Sequence, residues 1–206
     1  MDWSGKERIM NNALPKKSEA YTYGDYCHWE DDRRWELING VPYLMSPGPN
    51  RIHQGLLGKL HLQFAAYLEN KTCEVYLAPF DIRLPEKGEA DEYVTTVVQP
   101  DLMVYCDLSK LDEKGGRGAP DLLIEILSPS TTIRDQRVKL DLYERHGVRE
   151  YWVVHPNDRL VYVYLLKEDG RYPKPQVYSA EDKLPVAILP DLEIDLARVF
   201  PVEKKE

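Results

Sequence analysis

Apolar positions recur along the chain with two periods. Between residues 51 and 69, Ile52, Leu56, Leu57, Leu60, Phe64, Tyr67 and Leu68 fall on one arc at 100° per residue, the signature of an amphipathic helix. Residues 131–146 repeat it, with Ile133, Val138, Leu140, Leu142 and Tyr143 inward and Arg134, Arg137, Asp141, Glu144 and Arg145 outward. Elsewhere apolar residues alternate or form short runs, predicting strands at about 73–84 and 94–106, then in APDLLIEIL (119–127), YWVVHP and LVYVYLL. Asn39-Gly40 between RWELI and VPYLM marks a hairpin with a type I′ turn. Thr22 and Asp25 stand at capping-box spacing and predict a short helix through about Trp29. Breaks fall at Ser46-Pro47-Gly48-Pro49, at a Gly-rich turn from Lys114 to Gly118, and at Asn157-Asp158.

Strands and helices mixed around hairpins indicate an α/β (α+β) fold. Residues 1–20 are polar and unpatterned and read as a flexible arm, 21–201 as a single domain, and 202–206 as a charged tail. A chain of 206 residues with 43% hydrophobic content can bury a core of its own and is not largely disordered. No apolar run approaches the ~20 residues that span a bilayer, and the N-terminus lacks the apolar core of a signal peptide. The expected location is the cytoplasm, with no membrane partner. Cys27, Cys73 and Cys106 are odd in number and scattered, so free and mostly packed thiols are expected rather than a disulfide framework or a zinc site. The net charge of −8 argues against a protein that coats nucleic acid non-specifically, but not against a local cationic groove.

Charged residues on faces that should be buried carry the chemistry. His53 lies in the middle of the inward arc of the first long helix, where a packed core histidine is the plainer reading. Asp135 and Lys139 project from the inward side of the second, four residues apart; on a surface this would be an ordinary ion pair, but burial adds a desolvation cost that calls for a purpose or a further partner. In QPDLMVY, Asp101 shares a face with Met103 and Tyr105; in APDLLIEIL, Asp121 and Glu125 share a face with Leu123. Asp121, after Pro120 at a strand entrance, has a simple role in turn geometry. Glu125 has none. The two acids of that strand stand roughly 13 Å apart, too far to chelate one ion. If the strands of Asp101 and Glu125 pair antiparallel with those residues opposed, their carboxylates meet, and an all-oxygen site favours Mg²⁺ or Mn²⁺.

Two carboxylates on neighbouring strands with a lysine beside them resemble the PD-(D/E)XK nuclease superfamily, with Pro100-Asp101 as the PD half-motif and Glu125 as the second acid. The ordered set WELINGVPYLMSP, His53-Gln54, QPDLMVY, GAPDLLIEILSPST, Asp135, Lys139, Tyr143, GVREYWVVHP and LPDLEIDLARVF resembles more specifically the Uma-two type of bacterial restriction endonuclease, over residues 20–201. The resemblance implies a restriction-endonuclease-like core, a mixed central sheet flanked by helices, with an N-terminal hairpin and C-terminal strands. It implies a Mg²⁺-dependent endonuclease, with Mn²⁺ as substitute, that hydrolyses phosphodiester bonds of nucleic acid, DNA foremost. A homodimer is expected separately, its surface supplied by aromatic strands such as EYWVV and LVYVYLL. The superfamily's usual lysine position is Leu127 here, and the family supplies the lysine from the next helix, which matches Lys139. The implied roles are metal binding by Asp101, Glu125 and the Ile126 carbonyl, and charge stabilisation or water orientation by Lys139. Asp135 would position the lysine and Tyr143 buttress the site. His53 would contact phosphate or move a proton, and Glu36, Asp81 and Asp121 are secondary candidates. Arg134, Arg137, Arg145 and Arg149 offer a cationic edge. Two rivals stay open: a catalytically weak or inactive nucleic-acid-binding or regulatory module on a nuclease fold, and a structural homodimerisation protein.

Overall fold

The computed structural model describes residues 20–30, 33–45, 48–86, 88–128 and 133–200, with the backbone alone for 133–135. The expected arm, apart from Ala20, and the charged tail lie outside the described residues. Helix α1 (Tyr23–Tyr26) starts on the anticipated capping box, in which the Thr22 side chain accepts from the Asp25 N–H and the Asp25 carboxylate accepts from the Thr22 N–H. Strands β1 (Trp35–Ile38) and β2 (Val41–Leu44) form the hairpin. Its turn holds Asn39 and Gly40 at φ 49° and 74°, the left-handed pair a type I′ turn requires. At Gly40 a Cβ would lie 2.3 Å from that of Ala20.

The long helix α2 (Arg51–Leu68) is followed by β3 (Glu74–Leu77), β4 (Ile82–Arg83), β5 (Val97–Val98), β6 (Leu102–Tyr105), β7 (Leu111–Asp112), β8 (Gly115–Arg117) and β9 (Leu122–Ile126). Helix α3 (Ile133–Arg145) leads to β10 (Glu150–His155), β11 (Leu160–Leu165) and β12 (Gln176–Ser179). The chain closes through β13 (Lys183–Pro185), β14 (Glu193–Asp195) and α4 (Leu196–Val199).

The central sheet has the order β12-β11-β10-β9-β6-β3 and is mixed: β9 and β10 run parallel, joined by the α3 crossover, and its other neighbours are antiparallel. Period-two alternation gives it two apolar faces. Leu102, Val104, Leu122, Ile124 and Trp152 pack with Leu56, Leu60 and Phe64 of α2. Met103, Tyr105, Leu123 and Val153 pack with Leu142 and Tyr143 of α3 and with Ile82, Leu84 and Val98. The sheet is thus flanked by α2 on one face and α3 on the other, as the fold class anticipates. Among the described residues, no helix is long and apolar enough to cross a membrane.

Several expectations need correction. The runs 73–84 and 94–106 are each two strands, and they belong to different sheets. A second six-stranded sheet, β2-β1-β5-β4-β8-β7, takes β4 and β5, while β3 and β6 join the central one. Pro79 and Pro100 sit at the two breaks and have no N–H to continue a ladder. The Gly-rich turn is partly strand: β8 pairs with β7 and β4, and a Cβ on Gly115 (φ 120°) would lie 2.3 Å from the Asp81 carbonyl oxygen. Ile52 is exposed, outside the inward arc of α2. Cys73 and Cys106 are joined in a disulfide, not free, and Cys27 is free but exposed rather than packed. The disulfide follows from register: β3 pairs with β6 from Glu74↔Tyr105 to Leu77↔Leu102, and the next position outward opposes the two cysteines.

Candidate active site

Register builds the centre of the site. β6 and β9 pair antiparallel, with Leu102 opposite Ile124, so the next pair outward is Asp101 opposite Glu125. The Ile126 N–H donates to Asp101 Oδ2 at 2.7 Å, which fixes this carboxylate at the mouth of the strand pair. His53 reaches the same oxygen from α2, with Nε2 at 3.1 Å. Its place on the helix is set by the cap: the Asn50 side chain accepts from the His53 N–H at 2.9 Å. The His53 Nδ1 is buried with no hydrogen-bond partner among the described residues.

Helix α3 supplies the other wall. Lys139 and Tyr143 are one turn apart on its inner face, and both donate to Glu125 Oε1, at 2.8 and 2.9 Å. Lys139 Nζ also donates to Glu36 Oε1 at 3.0 Å. Glu36 comes from β1 of the second sheet, and its Oε1 accepts the Gln99 N–H at 2.9 Å as well. Each of these charged side chains is less than one-fifth exposed. Three carboxylates therefore share one ammonium and one imidazole. Burial pushes the Glu125 carboxyl up to about 7; Lys139 opposes the rise, and Asp101 and Glu36 add to it. Burial disfavours the Lys139 ammonium, but Glu125 and Glu36 outweigh it and hold the group charged, above its ordinary range. For His53 burial also acts against the charged form, and the hydrogen bond and charge of Asp101, with Glu125 behind it, raise the pKa overall.

Glu36, His53, Asp101, Glu125, Ile126 and Lys139 line a pocket of about 290 Å³, walled by β1, β2, the start of α2, the end of β9 and α3. The geometry brings Asp101, Glu125, Ile126, Lys139, Glu36, His53 and Tyr143 together. It does not bring in Asp81, whose Oδ1 accepts from Gln99 Nε2 at 2.7 Å and from the Tyr26 hydroxyl at 3.1 Å, tying α1 to the second sheet. Asp121 lies at the other end of β9, where its carboxylate accepts from the Cys106 N–H and from Arg149, tying the start of β9 to the end of β6 and to the approach to β10. The side chain of Asp135 lies outside the described residues. The anticipated cationic edge is partly used up: Arg149 pairs with Asp121 at 3.0 Å, and Arg145 donates to the Asn39 side chain.

Two residues of the site were missed in the sequence reading. Arg34 lines the pocket, and Gln99 holds it: its Oε1 accepts from Arg34 Nε and Nη2 at 2.9 and 2.6 Å. Alternation could have found both, because Arg34 precedes Glu36 by two and Gln99 precedes Asp101 by two.

Among the described residues no three His, Cys, Asp or Glu side chains are arranged to hold an ion by themselves. What the pocket offers a cation is a pair of facing carboxylates, Asp101 and Glu125. That donor set fits a hard ion that keeps part of its water shell, as Mg²⁺ does.

Comparison with known proteins agrees with the fold. The model of the Uma2 family, described as "Putative restriction endonuclease", matches residues 22–197. An uncharacterized protein from Synechocystis sp. (strain PCC 6803) is 26% identical over 163 residues, covering 78% of this chain and 81% of the relative. A crystal structure of a putative nuclease belonging to DUF820, from Anabaena variabilis ATCC 29413, superposes with a TM-score of 0.68 at 19% identity, over 87% of this chain and 97% of that one.

Proposed function

The chain belongs to the Uma2 family, and from that premise we propose that it is a Mg²⁺-dependent endonuclease, hydrolysing phosphodiester bonds of nucleic acid, DNA foremost. The observation that carries this reading is the opposition of Asp101 and Glu125 across β6 and β9, with Lys139 donating to Glu125 at 2.8 Å. Asp101 and Glu125, with the backbone carbonyl of Ile126, would hold Mg²⁺ or Mn²⁺. Bound there, the ion supplies Lewis-acid polarisation of the phosphate and lowers the pKa of a water ligand.

The chain's own groups do the rest. Lys139 is the cation nearest the paired acids, held charged by Glu125 and Glu36; it stabilises negative charge developing on the phosphoryl oxygens. Glu36, fixed by the Gln99 N–H, keeps the ammonium from swinging out of the pocket. Tyr143 steadies Glu125, while His53 and the Ile126 N–H steady Asp101. Both carboxylates are thereby oriented before any substrate enters, which is the preorganisation a phosphoryl-transfer site needs.

The test uses the purified chain with labelled DNA and RNA in Mg²⁺, Mn²⁺ or EDTA. Metal-dependent cleavage is expected, abolished in Asp101→Ala and in Glu125→Ala. Cleavage that survives those substitutions belongs to a contaminant and would falsify the assignment, as would a folded chain that cuts neither polymer with either ion.

A further inference from the structure

Arg34 stands in a pocket that holds three carboxylates, yet it makes no ion pair among the described residues. Its guanidinium donates twice to the neutral amide oxygen of Gln99. Gln99 is itself locked, with its Nε2 on Asp81 and Tyr26 and its backbone N–H on Glu36. A neutral acceptor orients the arginine fork and leaves its charge for an anion, the arrangement suited to a phosphate oxygen.

The hairpin wall beside it is apolar. Tyr43 opposes Glu36 across β1 and β2 and so stands on the same face. Met45, Pro49 and Leu44 continue the border, and Leu44 is 53% exposed. We propose that the pocket takes an unpaired nucleotide: its base lies against Tyr43 and this border, Arg34 holds a phosphate, and the neighbouring phosphodiester meets Asp101 and Glu125. The inference deepens the nuclease reading and rests on it.

Two further observations favour an unpaired nucleotide over a continuous duplex. Duplex binding is driven largely by cationic contacts to many phosphates. Here the cationic donors of the described pocket wall are Arg34, a His53 already bound to Asp101 and a Lys139 already shared by two glutamates, on a chain of net charge −8. Moreover, the acids lie within a cavity of about 290 Å³, a recess suited to one residue of a polymer rather than to a paired helix. Stacking on an aromatic ring supplies affinity that does not depend on phosphate number, and a base drawn from a duplex is read in the same kind of recess.

The experiment presents one labelled DNA strand to the full chain in three forms: single-stranded, fully paired, and paired around an unpaired internal loop. With Mn²⁺ or Mg²⁺, the single strand and the loop are expected to be cut at least about tenfold faster than the duplex. Duplex cut as fast as single strand overturns the inference and leaves the nuclease reading standing. Binding is read separately by fluorescence anisotropy in EDTA, where tighter binding of the single strand is expected. Preferential binding without cleavage by either ion supports the pocket and overturns the nuclease reading; neither preference nor cleavage overturns both. Arg34→Gln and Tyr43→Leu should each raise the Kd for the single strand about tenfold, with Tyr43→Phe restoring it. A folded Tyr43→Phe variant as weak as Tyr43→Leu overturns the stacking role.

Discussion

Raising the pH from 5 to 8 in EDTA should weaken the fold by roughly 2–3 kcal/mol through Glu125 alone. Its carboxyl has an ordinary value of 4.5 and is pushed up to about 7, chiefly by burial, with Lys139 opposing and Asp101 and Glu36 assisting. An acid that binds its proton more tightly in the folded chain contributes stability that is fully present below its unfolded pKa. That stability is lost as the pH climbs through the folded one. The gap between 4.5 and about 7 corresponds to about 3 kcal/mol, of which a small part has gone by pH 5. His53, Asp81 and Glu150 are also raised and add to the same trend. Glu125→Gln isolates the contribution of Glu125, because an amide cannot ionise. Urea denaturation followed by tryptophan fluorescence at a series of pH values measures it: the variant should lose less stability than the wild type between pH 6 and 8. Millimolar Mg²⁺ should return stability at pH 8 to the wild type and not to the variant, since an ion bound only by the folded chain stabilises it by mass action. Parallel pH profiles for the two proteins would refute the claim that Glu125 is charged against a cost.

Three further outcomes are expected. Lys139→Met should lower cleavage by about a hundredfold or more, the size of effect seen when a transition-state donor is removed, while Lys139→Arg restores less because a planar fork replaces a point charge; single-turnover kinetics read both. Arg83→Met should cost about 2–3 kcal/mol in urea, because a fully buried guanidinium that holds Asp91 through both carboxylate oxygens and Asp112 at 2.6 Å is lost, the exposure of both acids moderating the penalty. Peptide mapping without reductant should link Cys73 to Cys106 and leave Cys27 as the one native thiol that reacts.

The parts of the fold legible in the sequence are those set by near neighbours. The Thr22–Asp25 box, the Asn39-Gly40 turn and the alternation of LLIEI each depend on residues within a few positions. The second sheet was not legible. β4, β5 and β8 are two or three residues long, too short for any period to be read. Their pairing is decided by what lies on the other side of Ile82 and Val98 in space. The disulfide was hidden for the same reason: its cysteines are 33 residues apart, and only the register of β3 on β6 opposes them.

The site divides along the same line. Asp101, Glu125 and Lys139 were legible because each puts a charge on a face that its own element buries. Glu36 looked ambiguous because β1 belongs to the second sheet, and the meaning of its carboxylate depends on where that sheet packs. Gln99 is the joint between the two halves. Its backbone N–H and Lys139 converge on Glu36 Oε1, while its amide oxygen takes Arg34. Had Arg34 paired with Glu36 directly, the guanidinium and the carboxylate would have neutralised each other. By giving the arginine a neutral partner, the fold keeps its charge from cancelling against the carboxylates, a separation that the proposed phosphodiester and its metal would both require.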